Sequence, residues 1–146
     1  MSDNKVTIAR EILSEAFEHD EIQIEHARRV AGKIYGETPR DSEAIAVALL
    51  HDVIEDAGAQ YASEIEARLG GRILEACEAL TRRAGDNYLY HYITLQVSAD
   101  PIARRVKLAD IEHNMDLTRL QKIGPKDLER IEKYHEARAI LLGGVD

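Results

Sequence analysis

Apolar side chains recur every three to four residues along most of this chain, which is the spacing of one face of an amphipathic helix. Glycine and proline stand where these runs end, and Asp100-Pro101 combines a capping residue with a proline that fits the first helical turn. The pattern predicts helices over residues 3–18, 21–35, 41–57, 62–69, 72–80, 101–122 and 126–142.

The segment over residues 88–97 is less regular, because its tyrosines alternate with other residues and the positions after them favour strands. A single strand in this chain would have no partner to pair with, so we predict a helix here as well. The prediction is one all-α domain over residues 1–146, a compact bundle of seven or eight helices.

The chain has 146 residues, of which 45% are hydrophobic and 32% charged, and its net charge is −8. The apolar share suffices for a core and argues against intrinsic disorder. The negative charge argues against general nucleic-acid binding, which needs a basic surface. The longest apolar run, residues 44–50, is too short to span a bilayer, and the first residues lack an apolar signal core, so we expect a cytoplasmic protein. Cys77 is alone, which excludes an internal disulfide and a zinc site of paired cysteines.

The helix predicted over residues 41–57 concentrates negative charge on one face. The polar half of its helical wheel holds four titratable residues, His51, Asp52, Glu55 and Asp56, and the segment contains no Lys or Arg. The acids crowd the last two turns, where the helix dipole is already negative, and like charges this close repel each other. Either this is a solvated acidic patch with an incidental histidine, or a divalent transition metal binds there, because imidazole and carboxylate are suitable ligands for one.

Two other places in the chain set polar side chains beside apolar helix faces. His26 borders the apolar stripe of its helix, which fits a core or boundary histidine as well as a ligand. Asp110 and Asn114 share an arc flanked by apolar residues, so we expect them to be partly buried and to need partners. A hydrogen bond between helices and a ligand site are both compatible with that position.

Taken in order, these residues resemble the H…HD…D pattern of the HD superfamily of metal-dependent phosphohydrolases. ALLHDVIEDA at residues 48–57 is similar to the ALLHDxxED segment of the RelA/SpoT-type hydrolases of the alarmone (p)ppGpp, and VKLADIEHNM at residues 106–115 to their KLADRxxNM segment. Shorter likenesses lie at residues 69–70 and 80–81. The resemblance implies a single HD domain with its metal-site core at about residues 22–122 and a C-terminal helix over residues 126–142 that packs against it.

The resemblance also implies roles for individual residues. One divalent metal, Mn²⁺ first and Fe, Zn, Ni, Co or Mg in its place, would be held by His26, His51, Asp52 and Asp110. Glu55 and Asp56 match the acidic pair that orients and deprotonates the attacking water, which makes them the catalytic candidates. Asn114 matches an asparagine that contacts substrate, and Lys107 and Arg29 complete the candidate substrate-binding residues.

The implied activity is hydrolysis of a phosphate or pyrophosphate ester of a nucleotide, with (p)ppGpp as one candidate substrate. However, the basic, glycine-containing loop that grips the guanosine nucleotide in alarmone hydrolases is missing before His26. Ala27 replaces the proline that usually follows that histidine, and Ile111 replaces a basic residue. Three alternatives stay open: another nucleotide or small phosphate ester, a nicotinamide nucleotide as in compact relatives, and a sensor domain that binds metal and nucleotide without turnover.

Several other side chains fit either a ligand site or an ordinary surface. Arginine pairs, which suit bidentate phosphate contacts, occur at residues 28–29, 82–83 and 104–105. A tyrosine cluster that can stack on a base or simply pack consists of Tyr88, Tyr90 and Tyr92. Nothing in the spacing of His91 and His113 favours a second metal, although His113 can lie just behind the first one. The expected partner is a small-molecule nucleotide or phosphate ester, and a homo-oligomer is left open.

Overall fold

The structure, a computed structural model, describes residues 2–143, and over that range it is helical and contains no strand. Its α-helices are α1 (Ser2–Ala16), α2 (Glu21–Glu37), α3 (Ser42–Leu50), α4 (Tyr61–Leu69), α5 (Gly71–Ala79), α6 (Pro101–Asn114) and α7 (Pro125–Leu141). Two π-helical segments, here called π1 (Val53–Ala57) and π2 (Tyr88–Val97), and a 3-10 turn, Leu117–Arg119, lie between them. The predicted all-α fold of seven or eight helices is confirmed. No helix in residues 2–143 is both long and apolar enough to cross a membrane.

Helix α3 lies at the centre of the bundle, and its sequence explains why. Every side chain from residue 44 to residue 50 is buried, and these residues alternate alanine with larger aliphatic side chains. Because alanine is small, α1 and α2 approach α3 closely, and α5 and α6 also contact it. The C-terminal end of α3 is therefore held in the middle of the bundle, and His51 and Asp52 follow directly after it.

Aspartates fix the starts of α2, α3 and α6. Asp20, Asp41 and Asp100 each accept a hydrogen bond from backbone N–H groups of the first turn that they precede. Two of these caps also pair with arginines: Arg72 donates two hydrogen bonds of 2.9 and 3.0 Å to Asp100, and Arg105 donates one of 2.8 Å to Asp41. The caps set where these three helices begin, and these helices position the candidate metal ligands.

The prediction of one continuous helix over residues 41–57 is wrong. Helix α3 ends at Leu50, and after two residues the chain continues as π1, in which the Gly58 N–H donates to the Val53 carbonyl at 3.2 Å. A π-turn spans five residues, so it cannot be found with a wheel drawn at the α-helical period. Gly58 ends π1 with a φ of 137°, which glycine adopts without strain.

The helix predicted over residues 101–122 is also too long. Helix α6 ends at Asn114, and the Asp116 carboxylate then accepts a hydrogen bond of 3.0 Å from the Thr118 N–H, which starts the 3-10 turn. This side-chain cap competes with continuation of the helix. The prediction for residues 88–97 is confirmed as helix rather than strand, although its hydrogen bonds are those of a π-helix. The Tyr92 hydroxyl anchors it by donating to the Leu80 carbonyl at 2.6 Å.

Candidate metal centre and its cavity

Three helices bring histidine and aspartate side chains to one point in the bundle. His26 lies on α2, and His51 and Asp52 directly follow α3. Asp110 lies in the penultimate turn of α6. Ligand atoms of His26, His51 and Asp110 all lie within 4.8 Å of one another, so this group can hold a metal ion. Since α2 and α6 both contact α3, the arrangement follows from how the helices meet.

The distances between donor atoms suit a shared ion. Nε2 of His26 lies 2.8 Å from Oδ1 of Asp110, and Nε2 of His51 lies 3.4 Å from the same oxygen. Oδ2 of Asp52 lies 3.2 Å from Nε2 of His51 and 3.9 Å from Nε2 of His26. Adjacent ligands of a six-coordinate ion with metal–ligand distances of about 2.1 Å lie about 3 Å apart. Asp52 therefore borders the group closely enough to serve as a fourth ligand.

The surroundings of the two ring nitrogens of His51 are the feature that fits a bound metal most directly. Its Nδ1 lies 2.7 Å from the Ala48 carbonyl, which only accepts, so Nδ1 carries the proton and donates it. Nε2 is buried and has no hydrogen-bond partner, because its contacts with Asp52 and Asp110 lack hydrogen-bond geometry. A backbone hydrogen bond from one nitrogen that aims the other is how proteins orient metal-binding histidines. The residues thus fit a metal ion.

The charges of the group favour ionised aspartates. Burial lowers the pKa of His51, but the Asp52 and Asp110 carboxylates outweigh it and hold that pKa well above the usual value. Burial raises the pKa of Asp52, but His51 outweighs it and the net pKa is lowered. Burial also raises the pKa of Asp110, but the charges of Lys107 and then His51 outweigh it and hold that pKa well below its usual range. Both carboxylates are therefore available as anionic ligands near neutral pH.

His113 lies directly behind His26, a position that the sequence allowed but did not require. The two Nδ1 atoms are 2.7 Å apart, so one nitrogen carries the proton and the other accepts it. When Nε2 of His26 serves as a ligand, its Nδ1 is the donor and His113 is the acceptor. Burial, helped by the charges of His26 and Arg119, lowers the pKa of His113, which favours the neutral, accepting ring.

Glu55 and Asp56 lie on π1, immediately after the ligand pair, and both line the cavity described below. Oε1 of Glu55 accepts a hydrogen bond of 2.7 Å from the Arg82 N–H, and Oδ2 of Asp56 accepts one of 3.0 Å from the Gln23 side chain. Burial, followed by the charge of Asp56, raises the pKa of Glu55 despite the Arg82 hydrogen bond, and burial and Asp52 raise the pKa of Asp56. A carboxylate with a raised pKa is a stronger base, which suits proton removal from water.

Three of the four candidate ligands, His26, Asp52 and Asp110, line a cavity of about 950 Å³. Such a volume is at the upper end of the range for small-molecule sites. Acidic side chains from α2 and π1 line one part, and cationic side chains from α2 and from later elements also line it. These cationic residues are Arg29, Arg82, Lys107, Arg119 and Lys133.

The three candidate substrate-binding residues all line this cavity, with different surroundings. The Asn114 amide donates to Oδ1 of Asp110 at 3.1 Å, and the Lys107 ammonium donates to Oδ2 of the same carboxylate at 2.8 Å. Both are therefore tied to the candidate metal group. Arg29 lies on the exposed rim and donates to Glu25, its neighbour one turn earlier, at 2.9 Å.

The structure separates the remaining arginines, tyrosines and histidines by position. Arg104 and Arg105 bind carbonyl, hydroxyl or carboxylate groups elsewhere in the bundle and do not line the cavity. Tyr88 and Tyr92 line the cavity, whereas Tyr90 is 58% exposed and lies outside it. The His91 ring accepts from a backbone N–H in its own segment, away from the candidate ligands.

Sequence reasoning missed the part that α7 plays in the cavity. Lys133 and Tyr134 project from α7 into the lining, because α7 contacts both π2 and α6. The sequence predicts for this helix only that it packs against the core. No local signal marks a lysine on an amphipathic helix as a cavity residue, so the contact between helices had to be known first.

In comparisons with known proteins, no family model and no curated protein matches this sequence. The likeness to HD hydrolases therefore rests on the sequence motifs alone. What the geometry establishes is a group of His26, His51 and Asp110 that can bind a metal ion.

Proposed function

We propose that this protein is a metal-dependent phosphohydrolase of the HD type that acts on a phosphate or pyrophosphate ester of a nucleotide. The observation that carries the proposal is the buried Nε2 of His51, which makes no hydrogen bond and faces the same point as His26 and two carboxylates. A buried nitrogen without a partner is costly unless something binds it. A divalent ion is the occupant that suits two imidazoles and two anionic oxygens.

A bound divalent ion supplies charge stabilisation for a phosphoryl group and lowers the pKa of a nearby water. The chain itself supplies the base. Glu55 and Asp56 lie next to the ligand pair in sequence and face the cavity, and each has a raised pKa. The backbone N–H of Arg82 fixes the Glu55 carboxylate through one oxygen, so Glu55 can take a proton through the other.

The substrate belongs to a nucleotide-like class because the cavity combines size, aromatic rings and cations. Tyr88 and Tyr92 offer ring faces, and Lys107 lies near both rings, with its nitrogen 5.9 and 5.2 Å from their centres. Glu21 and Glu25, on α2 just before His26, line the same cavity, where alarmone hydrolases have a basic loop before this histidine. (p)ppGpp, another nucleotide and a nicotinamide nucleotide are therefore all substrates to test.

The test is a screen of Mn²⁺-loaded protein against these nucleotides, with release of phosphate and pyrophosphate measured. Wild type should hydrolyse at least one of them, and Glu55→Gln should lower kcat by about 100-fold or more, the usual contribution of a general base. The matched control is Glu136→Gln, an exposed carboxylate on α7 that does not line the cavity.

Tight nucleotide binding without any release would favour the sensor alternative instead. Release that is equal in wild type and in the His51→Ala, Asp52→Ala double variant would contradict the assigned site. Release that is unchanged in Glu55→Gln and lost in Asp56→Asn would transfer the base role to Asp56.

A further inference from the structure

A second cavity, of about 500 Å³, lies between α1, α2 and α3 and shares no lining residue with the cavity of the candidate metal group. Part of its wall is apolar and includes the buried side chains of Ala31, Ile45 and Leu49. The ring of Tyr35, which is 60% exposed, also lines it. This wall suits an apolar or aromatic group, and the volume suits a small molecule.

Three arginines from different parts of the chain line this second cavity. Arg10 lies on α1, Arg28 on α2, and Arg40 in the short connection before α3. Within the part of the chain that the structure describes, none of the three side chains makes a hydrogen bond or an ion pair. Three like charges therefore collect around one cavity, which we call the arginine cavity, without a group that neutralises them.

The carboxylates that follow two of these arginines in the sequence pair with other residues. Glu11 accepts a hydrogen bond of 2.9 Å from Arg68, and Asp41 accepts one of 2.8 Å from Arg105. Among the described residues that line the arginine cavity, none carries a carboxylate. The chain has a net charge of −8, so a cavity lined by cations alone is a local exception that favours an anion.

Gly32, in the middle of α2, leaves part of the arginine cavity open. A Cβ added to Gly32 would have no described atom within 4 Å outside its own helix, and the φ of Gly32 is not positive. Neither packing nor backbone conformation therefore requires glycine here, although glycine in a helix interior is destabilising relative to alanine. Because Gly32 lines the cavity, a larger side chain at this position would occupy the space that a ligand needs.

We propose that the arginine cavity binds a small organic anion, with a carboxylate or phosphate group on an apolar or aromatic body. The planar guanidinium of arginine forms paired hydrogen bonds with either anionic group, and the apolar wall contacts the body of the ligand. This inference goes beyond the proposed function and does not depend on it, because the two cavities share no lining residue.

The competing explanation is that the three arginines are ordinary surface side chains. All three residues are exposed, and an exposed guanidinium can be satisfied by water. This explanation accounts for each arginine alone but not for the three lining one cavity with an apolar wall and a glycine that the helix does not need. It predicts that an organic anion binds no more tightly than a neutral molecule of the same shape.

The experiment compares 1-naphthyl phosphate, 1-naphthoate and uncharged 1-naphthol by titration calorimetry. Metal-free protein is used, with a chelator present, so that the candidate metal group neither binds nor hydrolyses the phosphate. Wild type should bind at least one of the two anions with one site per chain and at least about tenfold more tightly than naphthol, since each of three arginines contributes a few-fold. Whether the phosphate or the carboxylate binds more tightly tells which group the natural ligand carries.

Variants locate the binding site. Arg10→Gln, Arg28→Gln and Arg40→Gln should each weaken binding of the preferred anion by about threefold or more and leave naphthol binding unchanged. Gly32→Leu should abolish binding of all three probes, because its side chain fills the cavity. Its Tm should equal or exceed that of wild type, because leucine has the higher helix propensity, so lost binding is not confused with lost folding.

Three variants serve as matched controls and should keep the wild-type affinities. Gly36→Leu changes the other open glycine of α2, Arg83→Gln removes an exposed arginine, and neither residue lines either cavity. Lys133→Gln changes the cavity of the candidate metal group. Loss of binding in Lys133→Gln would place the anion in that cavity and overturn the proposal.

Three other outcomes would also overturn it: anions that bind no more tightly than naphthol, arginine variants that keep full affinity, and binding that survives in Gly32→Leu. Light scattering on the same samples tests a second copy of the chain as the occupant. A wild-type dimer that the arginine variants lose would mean that an acidic surface of a second copy fills the cavity, which would refute a small ligand.

Discussion

The buried ion pair between Lys107 and Asp110 leads to the most quantitative prediction. The lysine nitrogen lies 2.8 Å from Oδ2 of the carboxylate, and the two side chains are only 12% and 5% exposed. Asp110→Asn removes the negative charge and keeps the shape. In metal-free protein it leaves the Lys107 ammonium buried beside a neutral amide, which is the most costly way to break such a pair.

Breaking a buried pair from one side costs about 3–5 kcal/mol of unfolding free energy. In a domain of this size each kcal/mol changes Tm by about 2–4 °C, so Asp110→Asn should lower Tm by about 6–20 °C. Adding Lys107→Met should recover part of that loss, because it removes the unpaired buried ammonium, whereas the contacts of Asp110 with His26 and His51 stay lost. Arg130→Met, which breaks an exposed 3.5 Å ion pair with Asp127, should cost less than about 1 kcal/mol.

Urea unfolding in the presence of a chelator, followed by far-UV circular dichroism, measures these differences. A loss below about 1 kcal/mol for Asp110→Asn would contradict the reasoning, since it would mean that the pair is well solvated. A double variant that is no more stable than Asp110→Asn alone would show that the lost stability does not come from the unpaired lysine.

Three further outcomes follow from the site. His113→Ala should weaken metal binding about 10–100-fold, because it removes the side chain that holds the His26 ring in place. The control variant His135→Ala, at an exposed histidine, should leave metal affinity unchanged, and competition with a chelating dye measures both affinities. Tyr92→Phe should lower the unfolding free energy by about 1–3 kcal/mol, because a buried backbone carbonyl loses its donor, as chemical denaturation would show. Burial raises the pKa of Glu55, so the charged form of Glu55 destabilises the fold at pH 7. Metal-free Glu55→Gln should therefore melt at or above the wild-type temperature at pH 7. The difference in Tm should disappear as the pH falls below the unfolded pKa of about 4.3, because Glu55 is then protonated in both the folded and the unfolded state. A lower Tm for Glu55→Gln at pH 7 would contradict that sign.

The α-helical content could be predicted from the sequence because hydrophobic periodicity directly reports a buried helix face. The start of α6 could be predicted as well, because Asp100 combines a capping side chain with a proline in the first helical turn. Asp110 could be expected to be buried with partners, and the structure confirms this with 4% exposure and hydrogen bonds to several side chains.

The π-helical segments could not be predicted, because the analysis of periodicity assumes the α-helical turn. This matters for Glu55, which a continuous helix would place one turn beyond His51 on the same face. In the structure Glu55 belongs to π1, and the Arg82 N–H holds it. π-Helical turns occur often at functional sites, where the wider turn changes the direction of a side chain.

The contacts between helices that are distant in sequence could not be predicted either. The hydrogen bond between His26 and His113 joins residues 87 positions apart, and Lys133 reaches Tyr88 from the last helix. Periodicity shows which face of a helix is buried but not which helix it meets. The sequence could therefore suggest candidate ligands through motif order, while the contact between Lys133 and Tyr88 required the structure.

The most direct test of the central claim is the metal itself. Protein purified without added metal and then loaded with Mn²⁺ should hold about one ion per chain by elemental analysis, and its X-ray absorption spectrum should show two imidazole ligands, from His26 and His51. The His51→Ala, Asp52→Ala variant should lose the ion, and His135→Ala should keep it. Equal metal content in wild type and in the double variant, or a bound ion without imidazole ligands, would contradict the account.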